Sequence, residues 1–164
     1  MDDRIKVINR ETARDARGPT TGTGAPIAAA HAVFTWPVRV YYQDTDLGGV
    51  VYHANYVKFL ERARTEWLRH LGFERHEMRE RLGIRFVVAG MRLDFHRPAR
   101  FNDELAVSVK GTDIKRASLI FNQTIHAVSA DNALVCSTAV RAACMEYVTI
   151  KPKPLPREIV AELA

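Results

Sequence analysis

Residues 34–72, FTWPVRVYYQDTDLGGVVYHANYVKFLERARTEWLRHLG, change their period halfway along, and that change decides the fold. The first ten (FTWPVRVYYQ, 34–43) are β-branched and aromatic, with Val38, Val40 and Tyr42 alternating. They predict a strand, with Pro37 near its start, where a missing N–H costs least. DTDLGGVVY follows, and two Asp with two Gly predict a loop. From His53 the apolar positions Tyr56, Leu60, Ala63, Trp67 and Leu71 step by four, three, four and four, with Phe59 and Leu68 widening the stripe. Charged residues fill the other face. This predicts a helix of about five turns, ended by Gly72.

Beyond the helix, residues 74–82 read as a short second helix stopped by Gly83. Four long strands follow, at about 84–97, 104–114, 117–129 and 133–147. They are broken at Pro98, Asn102-Asp103, Lys115-Arg116 and Asp131-Asn132. Short connections imply antiparallel pairing. One strand, one long helix and four more strands make an α+β domain over residues 32–164. Only one helix is broad enough to cover the sheet, so a curved antiparallel five-stranded sheet wraps around it. The tail KPKPLPREIVAEL is Pro-spaced and ends in one or two helical turns. Residues 1–31 mix charge, Thr, Gly and Ala without a sustained period and read as a mobile extension, with a short helix at 2–16 as one option.

Composition narrows the function classes. Of 164 residues, 47% are hydrophobic and 26% charged, which suits one globular domain with its own core. The net charge of +5 is spread along the chain and lacks the block-basic character of a nucleic-acid protein. Residues 1–20 carry no apolar segment of the kind a signal peptide needs, which predicts a cytoplasmic protein. Cys136 and Cys144 lie eight residues apart in one predicted strand, about 26 Å, too far to pair. They read as buried thiols in a reducing compartment.

The densest polar cluster is Tyr42, Asp44, Asp46, Gly48, Gly49 and His53, between the first strand and the helix. A carboxylate beside a helix N-terminus can attack a carbonyl or deprotonate water, while unpaired N–H groups hold the oxygen on which charge develops. That pairing suits acyl transfer. Other readings stand beside it. Asp44 and Asp46 can be turn residues bonding their own backbone, and His53 can be a cap. Glu61, two turns on, can be a second acid or an exposed partner of Lys58 or Arg64. No HExxH-like pair or Cys/His set supports a metal, and no GxGxxG, P-loop or nucleophile elbow is present.

The run WPVRVYYQDTDLGGVVYHANYVKFLERARTEWLR resembles the hotdog-fold acyl-CoA thioesterases of the YbgC type, the tol-pal system-associated group, relatives of the 4-hydroxybenzoyl-CoA thioesterases. The likeness continues through FVVAGMRLDFHRPARFNDELAV, KRASLIFNQTI and the KPKPLPREIVAEL end. It implies a hotdog fold and hydrolysis of short-chain or aromatic acyl thioesters to acid and thiol. Asp46 would be the catalytic carboxylate, with Tyr42 and His53 in the active site and Asp44 shaping the loop. The His53 backbone N–H would be the main oxyanion donor. Gly49, Val50, Tyr56 and Glu61 would contact the acyl end. Lys115, Arg116 and Ser118 are candidates for the phosphates of coenzyme A, against the alternative of a charged hairpin turn. No cofactor is implied beyond the coenzyme A of the substrate. The partner classes are acyl-CoA, an acyl carrier protein, the membrane surface and other copies of the chain in a homotetramer, a dimer of dimers. A hotdog dehydratase or hydratase and a non-catalytic acyl-carrier binder are the competing functions.

Overall fold

The computed structural model describes residues 33–163; the expectations for the 1–31 extension, including a helix at 2–16, lie outside the described residues. In chain order the elements are β1 (Phe34–Arg39), a single 3-10 turn (Tyr42–Asp44), α1 (His53–His70) and α2 (Arg75–Glu80). Then come β2 (Ile84–Phe95), β3 (Glu104–Lys115), β4 (Ser118–Ala127), β5 (Ala133–Glu146) and α3 (Arg157–Leu163). The five strands form one antiparallel sheet in the order β1-β3-β4-β5-β2, with β1 and β2 at its edges. This is the α+β hotdog architecture expected. No described helix is long and apolar enough to cross a membrane.

The periodic stripe of α1 does what its spacing demands. Tyr56, Phe59, Leu60, Ala63, Trp67 and Leu68 are all buried. They meet the inward rows of the sheet: Leu105, Val107 and Val109 of β3, Leu119, Phe121 and Ile125 of β4, and Cys136, Val140 and Cys144 of β5. Each row follows the period of two that a half-covered sheet requires. Both cysteines are free and buried. The sheet curls because its ladders slip at Val88/Gly90, at Thr112/Lys115 and at Ile125/His126. Such bulges bend a strand and add twist.

The first strand is shorter than its alternation suggests. It ends at Arg39, and Tyr41–Asp44 tighten into a turn: the Asp44 N–H donates to the Tyr41 carbonyl and the Tyr41 N–H to Asp44 Oδ2, both at 2.9 Å. A local carboxylate outcompetes the ladder there. Pro37 sits inside β1 opposite Ala106. Since the Val40 N–H points into the sheet toward Asp103 O, the nitrogen of Pro37, an odd number of residues back, faces the outer edge, where no ladder donor is needed.

Candidate active site

The loop between β1 and α1 is a closed structure. Asp46 N–H donates to Val50 O at 2.9 Å, Gly49 N–H to Asp46 O at 3.0 Å, and Thr45 bridges Val51. The chain runs out along 44–46, reverses over 47–49 and returns along 50–52 into the helix. Gly49 sits at φ 72°, which a side chain resists. Gly48 is needed for another reason: its N–H donates to Asp46 Oδ1 at 2.8 Å, and a Cβ there would stand 3.0 Å from that oxygen. The loop is pinned from outside by Val51 N–H on Ala99 O (2.8 Å) and by a bridge between Val50 and Arg100.

The two aspartates divide the work. Asp44 is buried, and its carboxylate is used on backbone. Asp46 is exposed; its Oδ1 is held by Gly48, and its Oδ2 has no partner among the described residues. The turn reading is therefore satisfied for both: each spends one carboxylate oxygen on backbone and has no described partner for the other, and what separates them is exposure, Asp44 being buried and Asp46 open.

At the start of α1, the backbone N–H groups of His53 and Ala54 have no acceptor among the described residues, and the first turn contains no acidic residue. The positive end of the helix dipole is thus left for something outside the helix. The imidazole of His53 lies against the ring of Tyr52, 4.3 Å between centroids. Tyr42 is 80% exposed and meets Phe101 edge-on at 5.8 Å.

An open cavity of about 280 Å³ adjoins this helix start, with Val51, His53 and Tyr56 on one side and Phe95, His96 and Arg97 on the other. Tyr56 is its inner wall. The ring packs edge-on against Phe95 (5.4 Å) and Phe59 (6.3 Å), and the hydroxyl accepts the Ala99 N–H at 3.0 Å. Burial raises the pKa of that phenol above its ordinary value. Among the described residues no three His, Cys, Asp or Glu side chains converge as a metal set.

The remaining predicted residues lie elsewhere. Glu61 is exposed and accepts the Thr65 hydroxyl at 3.1 Å; it is not among the residues lining the cavity. Its neighbour Arg64 is the buried one: Nη1 donates to Gln123 Oε1 at 2.6 Å, Gln123 Nε2 donates to Leu60 O, and desolvation lowers the guanidinium pKa. Lys115, Arg116 and Ser118 form the β3–β4 turn. Lys115 pairs with Asp113 at 3.4 Å, and Arg116 O accepts the Leu155 N–H. This turn sits at the opposite end of β3 from Glu104, about 36 Å of strand away from the loop that flanks Asp46. Within one chain it does not meet the cavity.

Three contributors escaped the sequence reading. His96 and Arg97 line the cavity, and Asn55, buried in the first turn of α1, donates from Nδ2 to Asp44 O at 2.9 Å. The apolar period hides Asn55, because it marks which face is buried and not which buried side chain carries a donor.

Residues 40–163 match the family model of the thioesterase-like superfamily. The acyl-CoA thioester hydrolase YbgC of Escherichia coli O157:H7 is 48% identical over 131 residues, 79% of this chain and 95% of that protein. The acyl-CoA thioesterase YbgC of Haemophilus influenzae is 42% identical over 129 residues, 78% and 92% of the two chains. Among solved structures, a 1,4-dihydroxy-2-naphthoyl-CoA thioesterase from Synechocystis superposes with a TM-score of 0.73 at 22% identity, over 80% of this chain and 96% of that one. A probable thioesterase from Bartonella henselae gives 0.70 at 32% identity, over 76% and 100%.

Proposed function

The chain belongs to the thioesterase-like superfamily and is a thioester hydrolase of the YbgC acyl-CoA type, and from that premise we propose that it hydrolyses short-chain or aromatic acyl-CoA thioesters with Asp46 as the catalytic carboxylate. One observation supports the assignment of the site: an exposed carboxylate, oriented by a diglycine loop that leads directly into a helix start whose first N–H groups are unspent among the described residues; Asp46 itself is not among the residues lining the cavity.

In the proposed chemistry the thioester carbonyl oxygen sits on the N–H groups of His53 and Ala54. Asp46 Oδ2 adds to the carbonyl carbon, or takes a proton from the water that adds. The tetrahedral oxyanion is held by the same two donors, the C–S bond breaks, and coenzyme A leaves as thiolate. If Asp46 itself has added, water then opens the acyl-aspartyl anhydride and returns the carboxylate. Preorganised donors of this kind are worth about 10²–10³ in rate apiece. His53 and Tyr42 flank the reacting group, and Gly49 and Val50 shape its loop. The open cavity of about 280 Å³, with the buried Tyr56 at its inner wall and Phe95 on its rim, supports a small acyl group over a long chain.

The phosphate candidates Lys115, Arg116 and Ser118 fit this scheme in trans. The edge of β2, unpaired among the described residues, supports antiparallel pairing with a second copy. A two-fold axis there would bring one protomer's β3–β4 turn toward the other's cavity end. We infer the same pairing as the first step to a homotetramer, with cytoplasmic acyl-CoA or an acyl carrier protein delivering the substrate.

The test is release of free thiol across a panel of acyl-CoA and acyl carrier protein thioesters. Thiol release from short or aromatic acyl groups is expected. Loss of enoyl absorbance without thiol would move the protein to dehydratase chemistry, and silence across the panel would leave a binder. Asp46→Asn is expected to lower kcat at least 10²–10³-fold with KM little changed; near-normal turnover removes Asp46 from the role.

A further inference from the structure

We propose that Asn55 is a positioning residue for this reaction, fixing where Asp46 stands relative to the first N–H groups of α1. The inference rests on the reading of Asp46 given above. Asn55 is the third residue of the helix and only 6% exposed. Its backbone N–H is committed to Tyr52 O at 2.8 Å, so its Cα is fixed to the helix start. Its side chain reaches out of the helix to the Asp44 carbonyl at 2.9 Å, the same oxygen that receives the Tyr52 N–H at 2.9 Å. That carbonyl lies two residues before Asp46.

Apart from the Asn55 N–H on Tyr52 O, which holds the returning limb, the other bonds of the loop join it to itself or to residues 99–100; the Asn55 side-chain amide ties the outgoing limb directly to the helix. The hairpin 44–52 can close without it. What the amide adds is the angle between that hairpin and the helix axis. Asn is a poor helix former that favours caps and turns, because its amide competes for backbone groups. Its burial here is explained by that use. A misplacement of about 1 Å at a reacting group can cost on the order of 10² in rate, so a side chain that sets this angle acts on turnover without touching substrate.

The experiment is steady-state thiol release from one good acyl-CoA substrate, with thermal unfolding alongside, for Asn55→Ala, Asn55→Asp, Asp46→Asn and the Asp46→Asn/Asn55→Ala double variant. Asn55→Asp keeps the shape and suits the first turn of a helix, but it replaces the donor with a carboxylate facing the Asp44 carbonyl. Both single variants at Asn55 are expected to lower kcat 10- to 100-fold with KM within twofold. In the Asp46→Asn background the loss from Asn55→Ala should shrink below twofold, because the group it positions is gone. The proposal is overturned if a folded Asn55 variant keeps kcat within twofold, if the loss falls mainly on KM, or if it persists in full without the Asp46 carboxylate. Failure of both Asn55 variants to fold would make Asn55 a folding residue and overturn it as well. The two readings separate cleanly. Normal turnover by Asp46→Asn sinks the role of Asp46, whereas a dead Asp46→Asn beside a normal Asn55→Ala sinks only the positioning.

Discussion

At the scale of single residues, burial has been put to chemical use in some places and to silence in others. Cys136 and Cys144 belong to the silent kind. Both are fully buried on the inward face of β5, and desolvation lifts each thiol pKa from 9.0 to about 11. The sign of the linkage follows. Between pH 9 and 11 an unfolded thiol has lost its proton while the folded one keeps it, so the unfolded chain binds fewer protons and stability falls as pH rises. Urea unfolding from pH 8 to 10.5 should show that decline, flattened in the Cys136→Ala/Cys144→Ala variant; an unchanged slope in that variant removes the thiols as its cause. Their burial and spacing were legible in the sequence, since eight residues in a strand fix one face and one distance. Asn55 and Arg64 were not. A period records that a side chain is buried, and only the neighbouring strand or loop decides whether a polar one finds a partner, as Gln123 does for Arg64.

Elements show where packing overrides pattern. Trp67, late in α1, lies on β3 where a side chain at Gly111 would be: a Cβ there would come 3.0 Å from Trp67 Cη2 and 3.7 Å from Leu119 Cδ1. The helix sits close to the sheet because Gly111 has nothing to displace. Gly111→Ala is expected to destabilise by about 1–3 kcal/mol, the usual range for overfilling a packed contact. Urea denaturation with an unchanged m-value checks this, and a Gly111→Ala variant as stable as the parent contradicts the contact. α1 itself was readable because four apolar steps of three and four leave no other element. The end of β1 was not: Val40 to Gln43 continue the strand alternation, and the Asp44 carboxylate draws Tyr41 into a turn. The bulges were invisible too, because a slip in register belongs to two strands and appears in the pattern of neither.

For the whole molecule, the informative feature is what one chain leaves uncovered. Among the described residues β2 is an edge strand, and Val88 and Phe95 on it are 53% and 52% exposed. Large apolar groups beside unpaired backbone favour a second copy. Val88→Glu should shift the protein toward monomer on gel filtration and lower activity per chain; an elution volume equal to the parent's argues against β2 as the contact. The fold class and the existence of the loop that carries Asp46 were legible in the sequence, since both come from one continuous stretch. The place of Lys115, Arg116 and Ser118 was not, because it depends on strand order and on which end of β3 the turn occupies. The two borders of the sheet also differ in kind. Pro37 withholds a donor from the β1 side, whereas β2 offers an intact row. A sheet whose other margin lacks a donor in its middle is the poorer template for a second addition, so the same geometry that invites a companion weighs against a fibril.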